Sequence, residues 1–303
     1  MSAALDFDRD GREWPHRDKS RFVKVGNLTF HVQIMGDGAP LLLIHGTGAS
    51  SHSWRDIMPI LAHDHLVIAP DLPGHAFTKG ASRADLSLHG MARALGALMK
   101  TLGLNPELVV GHSAGAAIAI EMVDQKSITP KNIISFNGAF FPVGGPVGHF
   151  FSPLAKLIAS FSFLNGIFAR LVDRKAVERL LDSTGSHLND KAVGLYQVLF
   201  TNEAHITGTL AMMAEWDLTS MRAKLKRLTV PLLLVKATND KTVPPETAND
   251  AAALAPHATV IAQKGLGHLA HEEDPAAAVR IIRNPTAFPN VSDGDPKTAR
   301  RSA

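Results

Sequence analysis

Cysteine is absent from all 303 residues, which excludes disulfides, thiolate metal sites and a cysteine nucleophile, and suits a reducing compartment. An excess of charge is lacking too: 31 basic residues face 28 acidic ones, a formal +3. No stripe interleaves Lys, Arg and aromatics in the way that tracks a phosphate backbone, so nucleic acid is not an expected partner. Nor is any uncharged run fit to span a bilayer. Asn132 to Ala155 carries no formal charge, but Pro142, Pro146 and Pro153 forbid one continuous helix, and Leu157 to Ala169 is too short. Membrane contact is expected to be peripheral at most. Met1 to Ser20 is charged and has no apolar run of a signal peptide, so a cytoplasmic location is expected, with peripheral contact to an inner membrane left open. Missing as well are internal repeats, a G-x-G-x-x-G or P-loop pattern, and an H-E-x-x-H pair. His45, His52, His63, His65, His75 and His112 fall at no metal-site spacing, so no metal or other cofactor is expected.

What is present is ample material for a core, 45% of residues being apolar. Residues 1–20 form a polar N-terminal extension, with Trp14 as its anchor. Arg21 to Val25, Leu28 to Ile34 and Pro40 to Ile44 read as strands, the first two joined at the hairpin turn Gly26-Asn27. Residues 53–62 can form a helix and Leu66 to Ala69 a strand. Leu86 to Leu102 is apolar at helical spacing and stops at Gly103. Leu108 to His112 and Asn132 to Asn137 are further strands. The alternation argues for a mostly parallel, doubly wound α/β sheet.

The next convincing strand begins only at Val230, so residues 141–228 are expected to be an inserted helical cap between core segments 21–140 and 229–283. Nine of the fourteen Phe residues lie between Phe136 and Phe200, and the interval also holds Met212, Met213 and Trp216. An aromatic inner face would make a large apolar pocket for a bulky ligand. Residues 284–303, rich in Pro, Asp, Ser and basic side chains, read as a disordered tail.

The chemistry centres on Gly111-His112-Ser113-Ala114-Gly115, a G-x-S-x-G turn between an apolar strand and an Ala-rich helix. Such a turn lifts a Ser hydroxyl clear of the sheet. Asp240 and His268 each fall just past a later strand, so a parallel sheet brings Ser113, Asp240 and His268 to one edge. Ser113 is the candidate nucleophile, His268 the general base and Asp240 its orienting acid. His271 is a rival base, expected to face the surface. Asn137, at the other place an acid could arise, cannot carry the charge. The backbone N–H groups of Thr47 and Ala114 are the candidate oxyanion donors. His112, Asn137, Phe140, Met212, Met213 and Trp216 are the expected pocket residues.

These motifs resemble the α/β-hydrolase superfamily over about residues 21–283: His45-Gly46-Thr47-Gly48, Asp71-Leu-Pro-Gly74, Gly111-His-Ser-Ala-Gly115, Asn239-Asp240 and Gly267-His268 fall in its order. Within it the chain is similar to the magnesium chelatase accessory proteins of bacteriochlorophyll biosynthesis, through Trp14-Pro15-His16-Arg17, His45-Gly-Thr-Gly-Ala-Ser-Ser-His-Ser-Trp54, Ala211-Met-Met-Ala-Glu-Trp-Asp-Leu218 and Gly267-His-Leu-Ala-His-Glu-Glu273. One departure is Ala76, where the turn commonly continues with Gly. The resemblance implies a place in photosynthetic pigment synthesis but supplies no substrate; with the triad, the favoured expectation is a serine esterase acting through an acyl-enzyme on an apolar ester, a tetrapyrrole-derived one being a candidate. It leaves open a weakly catalytic or non-catalytic porphyrin-binding accessory to magnesium chelatase subunits, and a general carboxylesterase. Arg170, Arg174 or Arg179 are candidates to meet the carboxylate edge of a porphyrin, a solvated helix face being their other reading.

Overall fold

The computed structural model describes residues 4–142 and 172–285. Eight strands form one sheet: β1 (Ser20–Val25), β2 (Leu28–Met35), β3 (Ala39–Ile44), β4 (His65–Pro70), β5 (Leu108–His112), β6 (Asn132–Phe136), β7 (Leu232–Ala237) and β8 (Ala258–Gln263). Their order is β1-β2-β4-β3-β5-β6-β7-β8. The hairpin β1–β2 is antiparallel and joins β4 antiparallel; every pairing from β4 to β8 is parallel. This is the mostly parallel, doubly wound sheet expected from the alternation of elements.

Period-two geometry explains why the central strands are apolar throughout. Leu42 and Ile44 of β3 face one core with the helices Leu88–Leu102 and Ala114–Asp124. Leu41 and Leu43 face another with Trp54, Met58 and the helix Pro275–Arg283. The helix Leu88–Leu102 starts where the Ser87 side chain accepts from Gly90 N–H and stops at Gly103, whose φ of +68° suits a residue without Cβ. The helix expected over 53–62 is instead a 3-10 turn, Ser51–Trp54, followed by the short helix Met58–Leu61. Pro59 accounts for the break, because a ring without an N–H fits only a first helical turn.

Between β6 and β7 the described chain runs through the helices Arg174–Ser183, Asp190–Phe200, Glu203–Glu215 and Met221–Arg227. Met221, Leu225 and Leu228 pack into the same core as the helices Leu88–Leu102 and Ala114–Asp124. In the N-terminal segment Leu5 and Trp14 are buried against Phe77, Leu195 and Leu199. Arg170, Phe150, Phe151, Phe161, Phe163, Phe168 and the tail beyond residue 285 lie outside the described residues. No helix among the described residues is long and apolar enough to cross a membrane.

Candidate active site

Ser113 sits between β5 and the helix Ala114–Asp124 with φ 52° and ψ −117°, a conformation costing on the order of 1–3 kcal/mol for a residue with a side chain. Its surroundings impose it. Ser113 N–H donates to Phe136 O at 2.9 Å, and Ser113 O accepts from Ala116 and Ala139 N–H. The flanking glycines are required by contact: a Cβ on Gly111 would lie 2.4 Å from Ala116 N, and one on Gly115 2.2 Å from Ile44 O. Strand and helix can pass this closely only without those side chains, which is the physical content of the G-x-S-x-G pattern.

The β7 and β8 ends bring Asp240 and His268 together, with His268 Nδ1 2.7 Å from Asp240 Oδ2. Asp240 Oδ1 accepts from Thr242 and Val243 N–H at 2.8 and 2.9 Å, so both carboxylate oxygens are committed. With Nδ1–H donated to Asp240, Nε2 is left as the basic nitrogen of His268. Ser113 and His268 share the wall of one cavity.

His271 is not at the surface. It is fully buried, its ring 4.5 Å from both Trp54 and His112. Burial first, then the neighbouring His268 and Arg55, pushes its pKa down to about 3. Leu269, at φ −95° and ψ 36°, delays the helix to Ala270, which turns His271 inward. His112 is also held neutral, its pKa well below the usual range because of burial and the adjacent His271. Its Nε2–H donates to His268 O at 2.9 Å.

Among the described residues, no backbone or side-chain acceptor engages the amides of Thr47, just past β3, and Ala114, the first residue of its helix. Both flank the cavity beside Ser113. A helix N-terminus adds partial positive charge there.

The cavity measures about 630 Å³ and is bounded on the insert side by Leu181, Tyr196, Phe200, Met212, Met213 and Trp216. That is ample for a drug-sized ligand. Of the expected pocket residues, His112, Met212, Met213 and Trp216 line it. Asn137 and Phe140 do not. Phe140 is fully buried in the main core and Phe141 takes the wall position instead. Asn137, at φ 49°, donates from Nδ2 to His268 O and Gly267 O and accepts from Ala237 N–H. It braces the histidine loop from behind.

Arg174 is engaged with Glu178 and Asp190, and Arg179 is exposed away from the lining. Among the described residues, the charged side chain on the wall is Lys241, next to Asp240. Ala76 does occupy a left-handed conformation, φ 42°, at about 1 kcal/mol for an alanine. The turn survives because Ala76 N–H donates to His205 Nδ1 at 3.0 Å. His45, His75 and His205 form a chain of ring contacts at 5.3 and 5.4 Å, yet no three His, Asp or Glu among the described residues are placed to hold a metal ion.

Sequence reasoning missed the part played by the segment Thr184–Ser186. Thr184 O accepts from both Lys241 N–H and His268 N–H, and Ser186 Oγ accepts from Leu269 N–H. The sequence signal was Gly185, whose φ of +85° and close approach to Asn239 O admit no other residue without strain.

Comparison with known proteins agrees with this fold. The chain is 35% identical over 262 residues, 86% of its length and 91% of the relative's, to the magnesium-chelatase 30 kDa subunit of Rhodobacter capsulatus. It is 27% identical over 270 residues, 86% of its length and 96% of the relative's, to the pyrrolizixenacetamide deacetylase of Xenorhabdus hominickii. A solved thermophilic esterase from Thermogutta terrifontis shares the fold with a TM-score of 0.70 at 20% identity, covering 87% of this chain and 97% of that one. With residues 41–281 matching the profile of the alpha/beta hydrolase family, and with the sheet order, the serine elbow and the Asp240–His268 pair in place, the chain belongs to the α/β-hydrolase family.

Proposed function

We propose that the protein is a serine hydrolase that cleaves an ester through an acyl-enzyme. The observation that carries this reading is Ser113, held at φ 52° on the wall of a cavity it shares with His268, whose Nδ1 is bonded to Asp240. Ser113 Oγ attacks the acyl carbon as His268 Nε2 takes its proton. Asp240 fixes the ring tautomer and stabilises the imidazolium. The carbonyl oxygen, now an alkoxide, is met by the Thr47 and Ala114 amides, each donor of this kind contributing about 3 kcal/mol. Collapse expels the alcohol, which recovers the proton from Nε2, and water repeats the sequence to release the acid.

The substrate we infer is bulky and apolar with an anionic edge, because the wall is apolar and aromatic while Lys241 supplies one cation beside it. A tetrapyrrole-derived ester meets that description. The magnesium-chelatase relative favours a second reading, in which the cavity holds a porphyrin for chelatase subunits without cleaving it. A general carboxylesterase is the third.

Intact-mass analysis after fluorophosphonate treatment separates them. The expected result is one adduct on the wild type and none on Ser113→Ala, followed by turnover of tetrapyrrole esters. No adduct on either protein, with protoporphyrin binding unaffected by Ser113→Ala, would move the assignment to the binder. Rapid turnover of short neutral esters without porphyrin binding would leave a general esterase.

A further inference from the structure

We propose that His205, on the inserted helix Glu203–Glu215, is a positioning residue for the oxyanion loop, so that the insert builds part of the active site as well as covering it. The inference rests on the hydrolase reading above. His205 is 2% exposed and uses both ring nitrogens on backbone groups of different core loops. Nδ1 accepts from Ala76 N–H at 3.0 Å, and Nε2–H donates to Gly48 O at 3.2 Å. Gly48 follows Thr47, and its φ is +76°. The orientation of the peptide leaving Gly48 is therefore set by a side chain from far along the chain.

These roles require a neutral ring with its proton on Nε2. Burial supplies the neutrality, holding the pKa of His205 at about 4. Two further contacts lie on the same helical face, at the i+3 and i+7 spacing that stacks side chains along one stripe. Gly208 meets Gly74 so closely that a Cβ on it would lie 2.0 Å from Gly74 O. Met212 Sδ accepts from Thr47 Oγ1 at 3.6 Å. The helix thus seats on the loops through a residue with no side chain and grips Thr47 and Gly48 on either side of the seat. A donor loop must be held to within about half an ångström to match a developing oxyanion, and these ties hold it.

Two amide variants divide the ring's roles. His205→Asn keeps an acceptor near the position of Nδ1 for Ala76 and loses the donor to Gly48. His205→Gln carries a donor near the position of Nε2 and keeps the tie to Gly48. With p-nitrophenyl butyrate the expected result for His205→Asn is a kcat lower by about 10- to 100-fold, less than the roughly 100- to 1000-fold lost when an oxyanion donor is removed outright, and a KM within about twofold of wild type. His205→Gln should recover most of kcat. Equal kcat in wild type and His205→Asn, or equal losses in both variants at equal folded fraction, would overturn the proposal. Should both variants fail to fold, Met212→Leu preserves volume and removes the acceptor sulfur. A kcat lower by about threefold would support the proposal, and an unchanged kcat would overturn it.

The fluorophosphonate adduct keeps the two readings apart. A wild type that never labels defeats the hydrolase reading. A wild type that labels, with His205→Asn labelling at the same rate, defeats only the role of His205.

Discussion

Asn137 shows how much one side chain can hold. It lies in the left-handed region at φ 49°, which Asn tolerates better than other residues with a Cβ. Its amide joins three elements: Nδ2 to His268 O at 2.8 Å and Gly267 O at 3.2 Å, and Ala237 N–H to Oδ1 at 2.8 Å. With His112 Nε2–H on the same His268 carbonyl, His268 is gripped through its backbone from two sides. Asn137→Ala strands a buried N–H at Ala237 and places alanine at positive φ, so unfolding free energy should fall by about 2–4 kcal/mol in urea titration. A loss below about 1 kcal/mol would mean the brace is dispensable. Asn137→Asp should do no better, since it aims a carboxylate at two carbonyl oxygens. At this scale Ser113, Asp240 and His268 were legible in the sequence because each follows an apolar strand at a turn, marked by glycines at Ser113 and His268 and by Asn239-Asp240 at the third. It did not show that Asn137 faces away from the cavity. That depends on a backbone φ of 49° just after β6, which no local residue pattern announces.

The elements carry a different lesson, concentrated in the strap Thr184–Ser186. Thr184 O accepts from Lys241 N–H at 3.0 Å and His268 N–H at 3.3 Å, while Ser186 Oγ accepts from Leu269 N–H at 2.8 Å. The strap therefore ties the Asp240 loop to the His268 loop. It lies close because Gly267 and Gly185 meet backbone to backbone, a Cβ on Gly267 falling 2.2 Å from Gly185 C. Deeper in, Tyr196 Oη donates to Glu272 Oε1 at 2.7 Å and Arg55 pairs with Glu272, linking the helix Asp190–Phe200 to the segment after His268. Gly185→Ala would set a Cβ 2.0 Å from Asn239 O at positive φ. Its kcat should fall at least tenfold with most of the protein still folded, because small misplacements of reacting groups are expensive. Ser186→Ala, which leaves one buried N–H unpaired, should cost about 1–2 kcal/mol of stability. Circular dichroism melts beside ester kinetics would check both; a Gly185→Ala enzyme with wild-type kcat would remove the strap from the account. Strands and long helices were legible because burial on both faces or on one stripe writes itself into apolar spacing. The strap was not, since hydrogen bonds spanning some eighty residues leave no local pattern.

At the scale of the whole molecule the unusual feature is six buried histidines held neutral among the described residues: His45, His52, His75, His112, His205 and His271. Burial is the leading cause in every case, and each has its pKa lowered, His205 to about 4 and His271 to about 3. In the unfolded chain they titrate near 6.5. Below that pH the unfolded state binds protons that the native state refuses, so stability is fully present above about pH 6.5 and is lost as pH falls toward the folded values. Each such histidine contributes a slope of up to about 1.4 kcal/mol per pH unit between its folded and unfolded pKa, and the six slopes add in the same direction. Asp71 acts in the same sense at lower pH: burial alone would raise its pKa, but His31 beside it holds the carboxylate well below the usual range. Glu272 opposes them, its pKa raised by burial despite Arg55, yet it is one group against seven. Native stabilities of about 5–15 kcal/mol cannot withstand such a slope for long. Calorimetric Tm at fixed ionic strength should be nearly level from pH 8 to 7, drop by many degrees between pH 6.5 and 5.5, and vanish above pH 4. A Tm at pH 5 equal to that at pH 8 would show that the histidine rings reach solvent or protonated partners in the native state, and the neutral, donor-specific roles assigned to His112 and His205 would fall with it.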